Sequence, residues 1–303
     1  MQFNMPTFST KIDQLSFSSC YLDLIGEGDE SRHATGFLWR HGTQVYLVTN
    51  WHVVTGINIL NGSFMKHGWC PKQLVIHFIS KSNPFAGTTI AGEQFTFDRG
   101  FDVGEASISL YEDFHNPFWI QHEATFDGSI DIAILPLDEK TIAGNPQIIC
   151  VNDYKFESLF HSVGNDIFVI GHPLRSADTL YPVTLPVWKR GSIASELFIP
   201  WNMRPAFLID VKTSGGMSGS PVIRRSFGPT IMADLSIADK MAVCSEFMGV
   251  YSGRLHDDDD NASIGLVWHR NLIDEIIANP SRGSREWRPS NLPSIFRPQE
   301  ARD

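Results

Sequence analysis

Three short segments of the chain carry residue types that together can perform nucleophilic catalysis. His52 follows an apolar, β-branched run at residues 45–49, Asp131 begins the apolar run 132–135, and Ser218 lies in a glycine-rich turn. A serine hydroxyl is a weak nucleophile at neutral pH, so an adjacent imidazole must take its proton. A carboxylate must hold that imidazole in the correct tautomer. We therefore predict His52 as the base, Asp131 as its orienting acid and Ser218 as the nucleophile.

The residues around Ser218 suit a tight turn that exposes a hydroxyl group. Glycine occupies positions 215, 216 and 219, and glycine adopts backbone conformations that other residues avoid. Such a turn also aims backbone N–H groups outward, where they can stabilise a developing oxyanion. Ser220 is not the nucleophile in this pattern.

Each of these residues has a plainer interpretation. A single histidine among eleven is more often structural, and only the flanking Val-Thr-Asn-Trp and Val-Val favour His52. Asp102, Asp113 and Asp127 compete for the acid role, but Asp131 alone begins a strand-like run. An α/β-hydrolase would need Gly-x-Ser-x-Gly and the order Ser, Asp, His, and the chain has neither.

Taken together and in this order, the three segments resemble the trypsin-like, chymotrypsin-fold serine peptidases, especially bacterial members without disulfides. The resemblance covers about residues 21–278 and implies an oxyanion hole formed by the backbone N–H groups of Gly216 and Ser218. Digestive relatives carry an aspartate just before the serine, where this chain has Met217. The resemblance therefore implies that cutting at the N-terminus does not activate this protein.

The resemblance also assigns a substrate-binding region. It implies that Val250, Tyr251, Ser252 and Gly253 form the strand that pairs with an extended substrate, as in β-augmentation. Gly253 and Gly265 would flank an open pocket for the P1 side chain, the one preceding the scissile bond. Lys212 would lie near the pocket floor and favour an acidic or polar P1 residue, although its ammonium could instead extend to solvent.

Two further stretches invite functional interpretations. The acidic run 257–260 lies on the expected pocket rim, where it is either a solvated turn or a surface that attracts basic substrates. The connection between His52 and Asp131 is long, and its residues 81–128 could form extra hairpins, a flap or a docking surface.

Strand signals dominate the rest of the chain. Short apolar or β-branched runs between turn residues predict an all-β fold, which the resemblance refines to two six-stranded antiparallel barrels with a C-terminal helix. The predicted strands are residues 35–39, 44–49, 73–78, 131–136, 166–171, 187–194, 206–211, 220–223, 242–251 and 263–269. The apolar face at residues 271–278, followed by Asn-Pro, predicts the helix.

The composition change near residue 140 predicts an N-terminal barrel over 1–140 with His52 and Asp131, and a C-terminal barrel over 141–280 with Ser218. Residues 281–303 form a tail that is either disordered or strapped across the body through Trp287 and Phe296.

Composition limits the location and partners of the protein. The 303 residues carry a net charge of −10, which disfavours nucleic acid and anionic membranes as partners. No apolar run approaches the roughly 20 residues that span a bilayer, and the first residues lack a secretory signal pattern. Four scattered cysteines without CxxC spacing leave two long-range disulfides open, but they fit a reduced, cytoplasmic chain best.

The sequence therefore predicts a serine endopeptidase that acts on protein or peptide substrates, without a metal or organic cofactor. Two alternatives stay open. One is a catalytically silent scaffold that binds peptides, and the other is a latent enzyme that an activating protein partner switches on.

Overall fold

The structure is a computed structural model. It describes residues 13–26, 31–65, 69–81, 87–90, 93–96, 101–113, 116–138, 148–174, 185–238, 243–255 and 263–288. Within these residues the α-helices are α1 (Trp51–Thr55) and α2 (Asn271–Ala278). Three 3-10 helices span Gln14–Phe17, Glu123–Thr125 and Val151–Asp153. The strands are β1 (Ser19–Gly26), β2 (Ser31–His41), β3 (Gln44–Thr49), β4 (Pro71–Lys81), β5 (Gly87–Ile90), β6 (Glu93–Thr96), β7 (Phe101–Ser109), β8 (Tyr111–Asp113), β9 (Asn116–Pro117), β10 (Ile120–Gln121), β11 (Ala133–Leu137), β12 (Asp166–Gly171), β13 (Val187–Ile193), β14 (Ala206–Asp210), β15 (Pro221–Phe227), β16 (Thr230–Ile231), β17 (Ile237–Ala238), β18 (Val243–Arg254), β19 (Ile264–His269) and β20 (Ser281–Arg282).

The strands form two main antiparallel sheets, and the predicted all-β fold class is confirmed. The C-terminal sheet is a closed six-stranded barrel in the order β12-β13-β14-β19-β18-β15. The N-terminal sheet is a curled half-barrel of eight strands in the order β20-β10-β11-β3-β2-β1-β4-β7. It exceeds the predicted six strands because β7, from the long connection, joins one edge and β20, from beyond α2, joins the other.

The long connection after β4 has structure of its own. In the described part of residues 81–128, β5 pairs with β6 and β8 pairs with β9 as small hairpins, and β7 lies alongside β4. This is the extra-hairpin alternative of the sequence analysis.

The hydrophobic core between the two sheets joins them into one body. Phe37 of β2 and Phe247 of β18 meet there with ring centroids 5.6 Å apart, and both side chains are buried. The predicted helix α2 buries Leu272, Ile273 and Ile276 in the same cluster. Burying each side chain of this size contributes about 1.5–3 kcal/mol, so this shared core fixes how the halves face each other.

The N-terminal and C-terminal segments each cross to the opposite half. Near the start of the described chain, Asp13 pairs with Arg225 over 2.7 Å and Ser16 Oγ accepts a hydrogen bond from Trp188 Nε1 over 3.0 Å. Both partners belong to strands of the C-terminal barrel.

At the other end, residues 281–288 form a strap on the N-terminal sheet, which we call the C-terminal strap. Strand β20 pairs with β10, Gly283 N donates to Trp119 O, and Arg288 N donates to Phe126 O. The strap alternative for the tail therefore holds for these residues, whereas residues 289–303, including Phe296, lie outside the described residues.

The structure shows the state of the cysteines and whether the described helices could span a membrane. All four cysteines, at positions 20, 70, 150 and 244, are free thiols. No helix in the described ranges is both long and apolar enough to cross a bilayer.

Candidate active site

His52 and Asp131 are brought together by two neighbouring strands. Strand β3 leads directly into α1, which carries His52, and Asp131 precedes β11, which pairs with β3 through Ala133 and Thr49. The two residues therefore lie at the same end of adjacent strands. His52 Nδ1 is 2.7 Å from Asp131 Oδ2, and the His52 backbone N donates to Asp131 Oδ1 over 2.9 Å.

The Asp131 carboxylate is fully buried and surrounded by hydrogen-bond donors. Besides the two contacts from His52, the carboxylate accepts a hydrogen bond from Ser252 Oγ at Oδ2 over 2.6 Å. Asn50 Nδ2 donates separately to the Asp131 backbone oxygen over 2.8 Å. A buried carboxylate needs such donors to offset the loss of water. Because Asp131 accepts from Nδ1 of His52, Nδ1 carries the proton and Nε2 stays available to accept another.

Ser218 lies in a turn whose backbone requires glycine. Gly216 and Gly219 have φ values of 90° and 86°, the left-handed region. A Cβ at Gly216 would come within 2.4 Å of His172 O, and one at Gly219 within 2.0 Å of Thr35 O. The turn therefore packs closely on its surroundings while Ser218 faces the cleft. Ser218 Oγ donates to Ser252 O over 3.0 Å.

A cleft of about 220 Å³ lies beside these residues. Among the residues singled out from the sequence, it is lined by His52, Ser218, Tyr251, Ser252 and Gly253. A Cβ at Gly253 would lie 4.0 Å from Ser218 Oγ, so this part of β18 passes next to the nucleophile. The remaining lining residues are Asn58, Ile59, Leu60, Met65, Thr213, Ser214, Gly215, Arg254, Leu255 and Leu266.

Three residues predicted for substrate binding, Lys212, Val250 and Gly265, do not line this cleft. Lys212 is exposed and does not line the cleft, whereas its neighbour Thr213 is buried and does. Side chains alternate along an extended chain, so burial of Val211 and Thr213 turns Lys212 outward. Lys212 therefore gives this cleft no positive charge, and the predicted preference for an acidic P1 residue stays a prediction.

Val250 and Gly265 belong to the barrel wall and do not line the cleft. Val250 pairs with Pro221 on one side and Trp268 on the other, and its side chain is fully buried. Gly265 pairs with Ile209 and Arg254. The ring of Tyr251 covers Gly265, since a Cβ there would lie 2.6 Å from Tyr251 Cε2. The predicted open pocket is thus partly filled by Tyr251, whose hydroxyl also hydrogen-bonds Thr213 Oγ1.

The acidic run 257–260, predicted on the pocket rim, lies outside the described residues. In the described part of the chain, no cluster of three or more His, Cys, Asp or Glu side chains is arranged to hold a metal ion.

Comparison with protein families assigns the chain. Residues 34–228, more than half of the chain, match the trypsin-like peptidase domain. The chain belongs to this family. It is a trypsin-like serine protease, and protein or peptide substrates are what this family hydrolyses.

Several solved structures are similar to this chain at low sequence identity. The active form of the Rv3671c protease from M. tuberculosis is 14% identical, with a TM-score of 0.44, covering 91% of this chain and 85% of that one. Deg5 is 14% identical with a TM-score of 0.44, covering 88% of each chain. The HL collagenase is 14% identical with a TM-score of 0.45, covering 88% of this chain and 94% of that one. No curated protein matches the sequence significantly.

This trypsin-like protease has an apolar side chain just before Ser218. Met217 is fully buried in the core of the C-terminal barrel, in a cluster that includes Ile167, Val169 and Tyr251. A thioether offers no charge to pair with an N-terminal ammonium group.

Proposed function

We propose that this protease cleaves peptide bonds through a triad of Ser218, His52 and Asp131 and a covalent acyl-enzyme. The observation that carries the proposal is the two-point contact of His52 with the buried Asp131 carboxylate, at 2.9 Å from the backbone N and 2.7 Å from Nδ1. That contact fixes the ring and leaves Nε2 as the basic nitrogen, and His52 and Ser218 line the same cleft.

Acylation begins when Ser218 Oγ turns from Ser252 O toward His52 Nε2. Oγ then bonds to the scissile carbonyl carbon while its proton moves to Nε2, which gives a tetrahedral oxyanion. The N–H groups of Gly216 and Ser218 stabilise that oxyanion. Breakage of the C–N bond releases the amine, which takes the proton from Nε2, and leaves an ester on Ser218.

Deacylation repeats these steps with water as the nucleophile. Nε2 accepts a proton from the water as its oxygen attacks the ester carbon. Collapse of the second oxyanion breaks the bond to Oγ, returns the proton to Ser218 and releases the carboxylic acid product. His52 and Ser218 regain their starting states, so no cofactor or oxidant is consumed.

Covalent labelling by a fluorophosphonate probe tests this proposal. Wild-type protein should be labelled at Ser218, and Ser218→Ala and His52→Ala should lose labelling. Ser220→Ala is the matched control, because Ser220 is a buried serine in the same turn whose hydroxyl is not part of the proposed chemistry. Labelling that survives in Ser218→Ala would contradict the assignment of the nucleophile.

A second candidate is a latent enzyme that needs a protein partner. The hydrogen bond of Ser218 Oγ to Ser252 O favours it, because this contact directs the hydroxyl proton away from His52. Folded wild-type protein that is labelled only after a partner protein is added would support latency. Wild-type protein that resists labelling under every condition would instead support a silent peptide-binding scaffold.

A further inference from the structure

Thr35 of strand β2, in the opposite half of the molecule, forms two hydrogen bonds with the Ser218 turn. Its backbone N donates to Ser218 O over 2.9 Å, and its hydroxyl donates to Gly216 O over 2.7 Å. The side chain is fully buried. One residue of the N-terminal sheet therefore holds two carbonyl groups of the turn that carries the nucleophile.

The direction of the Thr35 hydroxyl is fixed by its second partner. The backbone N of His172 donates to Thr35 Oγ1 over 2.9 Å. Because a backbone N–H can only donate, Oγ1 must accept there and must use its own proton for Gly216 O. Gly171 leaves room for this arrangement, since a Cβ there would lie 2.8 Å from Thr35 Oγ1.

The turn needs such a restraint because two consecutive glycines precede Met217. No heavy atom lies within 4 Å of the Cβ position at Gly215, so packing does not restrict the backbone there. Glycine lacks the steric barriers that confine other residues, and peptide planes between glycines rotate easily. A hydrogen bond to the Gly216 carbonyl adds a restraint next to the open position at Gly215.

The two carbonyl groups that accept hydrogen bonds from Thr35, those of Gly216 and Ser218, belong to the peptides on either side of the one that carries the Ser218 N–H group. Gly216 O belongs to the Gly216–Met217 peptide and Ser218 O to the Ser218–Gly219 peptide, and the Met217–Ser218 peptide lies between them. Fixing the outer two planes restricts the middle one. Donors aimed at a developing oxyanion are effective because they are already oriented before the reaction.

We propose that the Thr35 hydroxyl is a positioning group that keeps the oxyanion donors of this protease aimed into the cleft. The inference rests on the proposed function, since it concerns the same turn. Thr35 does not touch substrate. It acts through Gly216 and should influence the transition state more than the binding of the ground state.

The isosteric variant Thr35→Val and the conservative variant Thr35→Ser separate the hydroxyl from the shape of the side chain. The measurement is the labelling of Ser218 by a fluorophosphonate, resolved into the maximal rate constant and the half-saturating probe concentration. Thr35→Val should lower the maximal rate about 10- to 100-fold per active site, and half-saturation should change less than about twofold. Thr35→Ser should recover most of the rate.

Thr230→Val is a matched control for stability. Thr230 is also buried, and its hydroxyl donates to a glycine carbonyl, that of Gly228, over 3.0 Å, at the turn between β15 and β16. It should lower the melting temperature like Thr35→Val and leave the labelling rate unchanged. If Thr35→Val does not fold, Thr35→Ala removes the same hydroxyl without adding a methyl group to the site.

Each outcome decides the proposal. A lower rate per active site in Thr35→Val, with rescue by serine, supports it. An unchanged rate per active site, with only fewer active molecules or a lower melting temperature, overturns it and leaves the triad intact. Wild-type protein that is never labelled overturns the proposed function first and this inference with it.

Discussion

The hydroxyl of Ser252 donates a hydrogen bond to Oδ2 of Asp131 over 2.6 Å, across the boundary between the two halves. The same Oδ2 atom faces His52 Nδ1, so the carboxylate that orients the imidazole is held by donors from both halves. Ser252 also offers its backbone oxygen to Ser218 Oγ. A single residue of β18 thus contacts the acid and the nucleophile, and its side chain and backbone have separate roles.

Removing the Ser252 hydroxyl should weaken catalysis without abolishing it. A hydrogen bond to a charged group contributes about 1.5–3 kcal/mol, so Ser252→Ala should lower kcat/KM about 10- to 100-fold. Asp131→Asn should be worse, by about 10⁴-fold, because an amide favours the wrong imidazole tautomer. Steady-state kinetics on a fluorogenic peptide measure both. Ser245→Ala, on the same strand and away from the triad, should have normal activity, and equal losses in it and Ser252→Ala would contradict the assignment.

The size of the P1 side chain that the protease accepts should depend on the volume of the Tyr251 side chain. Its buried ring covers Gly265 and its hydroxyl meets Thr213, so we expect the pocket next to Ser218 to favour small side chains. Tyr251→Ala should shift cleavage toward larger apolar P1 residues, as read from a peptide library. Tyr251→Phe keeps the volume and should keep the preference. An identical P1 profile in the wild-type protein and Tyr251→Ala would show that another part of the cleft receives this side chain.

The C-terminal strap should support the substrate cleft as well as stability. Trp287 Nε1 donates to Ile59 O over 3.0 Å, and Ile59 and its neighbours Asn58 and Leu60 line the cleft. Trp287→Ala should therefore raise KM about 5- to 10-fold through loss of packing and of a hydrogen bond, and lower the melting temperature.

Arg288→Ala is the control for this prediction. Arg288 is the next residue of the strap, and its exposed side chain pairs with Glu286 two positions away. It should leave KM and the melting temperature near their wild-type values. A Trp287→Ala protein that is less stable but has normal KM would limit the strap to a structural role.

Acid should destabilise the protein through His172, which lies behind the Ser218 turn. Burial, together with the charges of His33 and His77, lowers the pKa of His172 to about 3, and its Nε2 has no hydrogen-bond partner among the described residues. In the unfolded chain His172 has an ordinary histidine pKa near 6.5. Between about pH 6.5 and 3, His172 is therefore protonated in the unfolded chain but neutral in the folded protein. Stability from this group is complete above pH 6.5 and falls as pH drops, by up to about 1.4 kcal/mol per pH unit.

Urea unfolding at pH 7 and pH 4.5 measures this effect. His172→Gln cannot take up the proton, so its stability should fall less between the two pH values than that of the wild-type protein. Acidic groups that lose interactions at low pH, such as Glu246, affect both proteins equally and cancel in the comparison. Parallel losses in the two proteins would assign the acid sensitivity to other groups.

Local patterns were enough to predict ten of the described strands, helix α2 and the three segments that carry His52, Asp131 and Ser218, but they did not predict β1, which lies between β2 and β4. Each of those predictions depends on neighbours a few residues away. The exposure of Lys212 could have been predicted in the same way, since alternation along the chain buries Thr213 and turns Lys212 outward. The sequence could not predict contacts between distant positions. Thr35 and Gly216 are 181 residues apart, and the sequence around neither residue indicates that they form a hydrogen bond. That Tyr251 fills the space over Gly265 likewise depends on the pairing of β18 with β19.

Because the two terminal segments cross to the opposite halves, the chain cannot be divided between the halves without separating contacts that join them. The start of the described chain lies on the C-terminal barrel, and α2 and the strap lie on the N-terminal sheet. A backbone break between residues 138 and 148 would therefore produce two fragments, and the terminal segment of each fragment would pack on the sheet of the other. We expect such fragments to remain associated after cleavage and, when co-expressed, to reconstitute one site by non-covalent complementation. For the same reason we expect neither half to work as a module when it is transplanted alone.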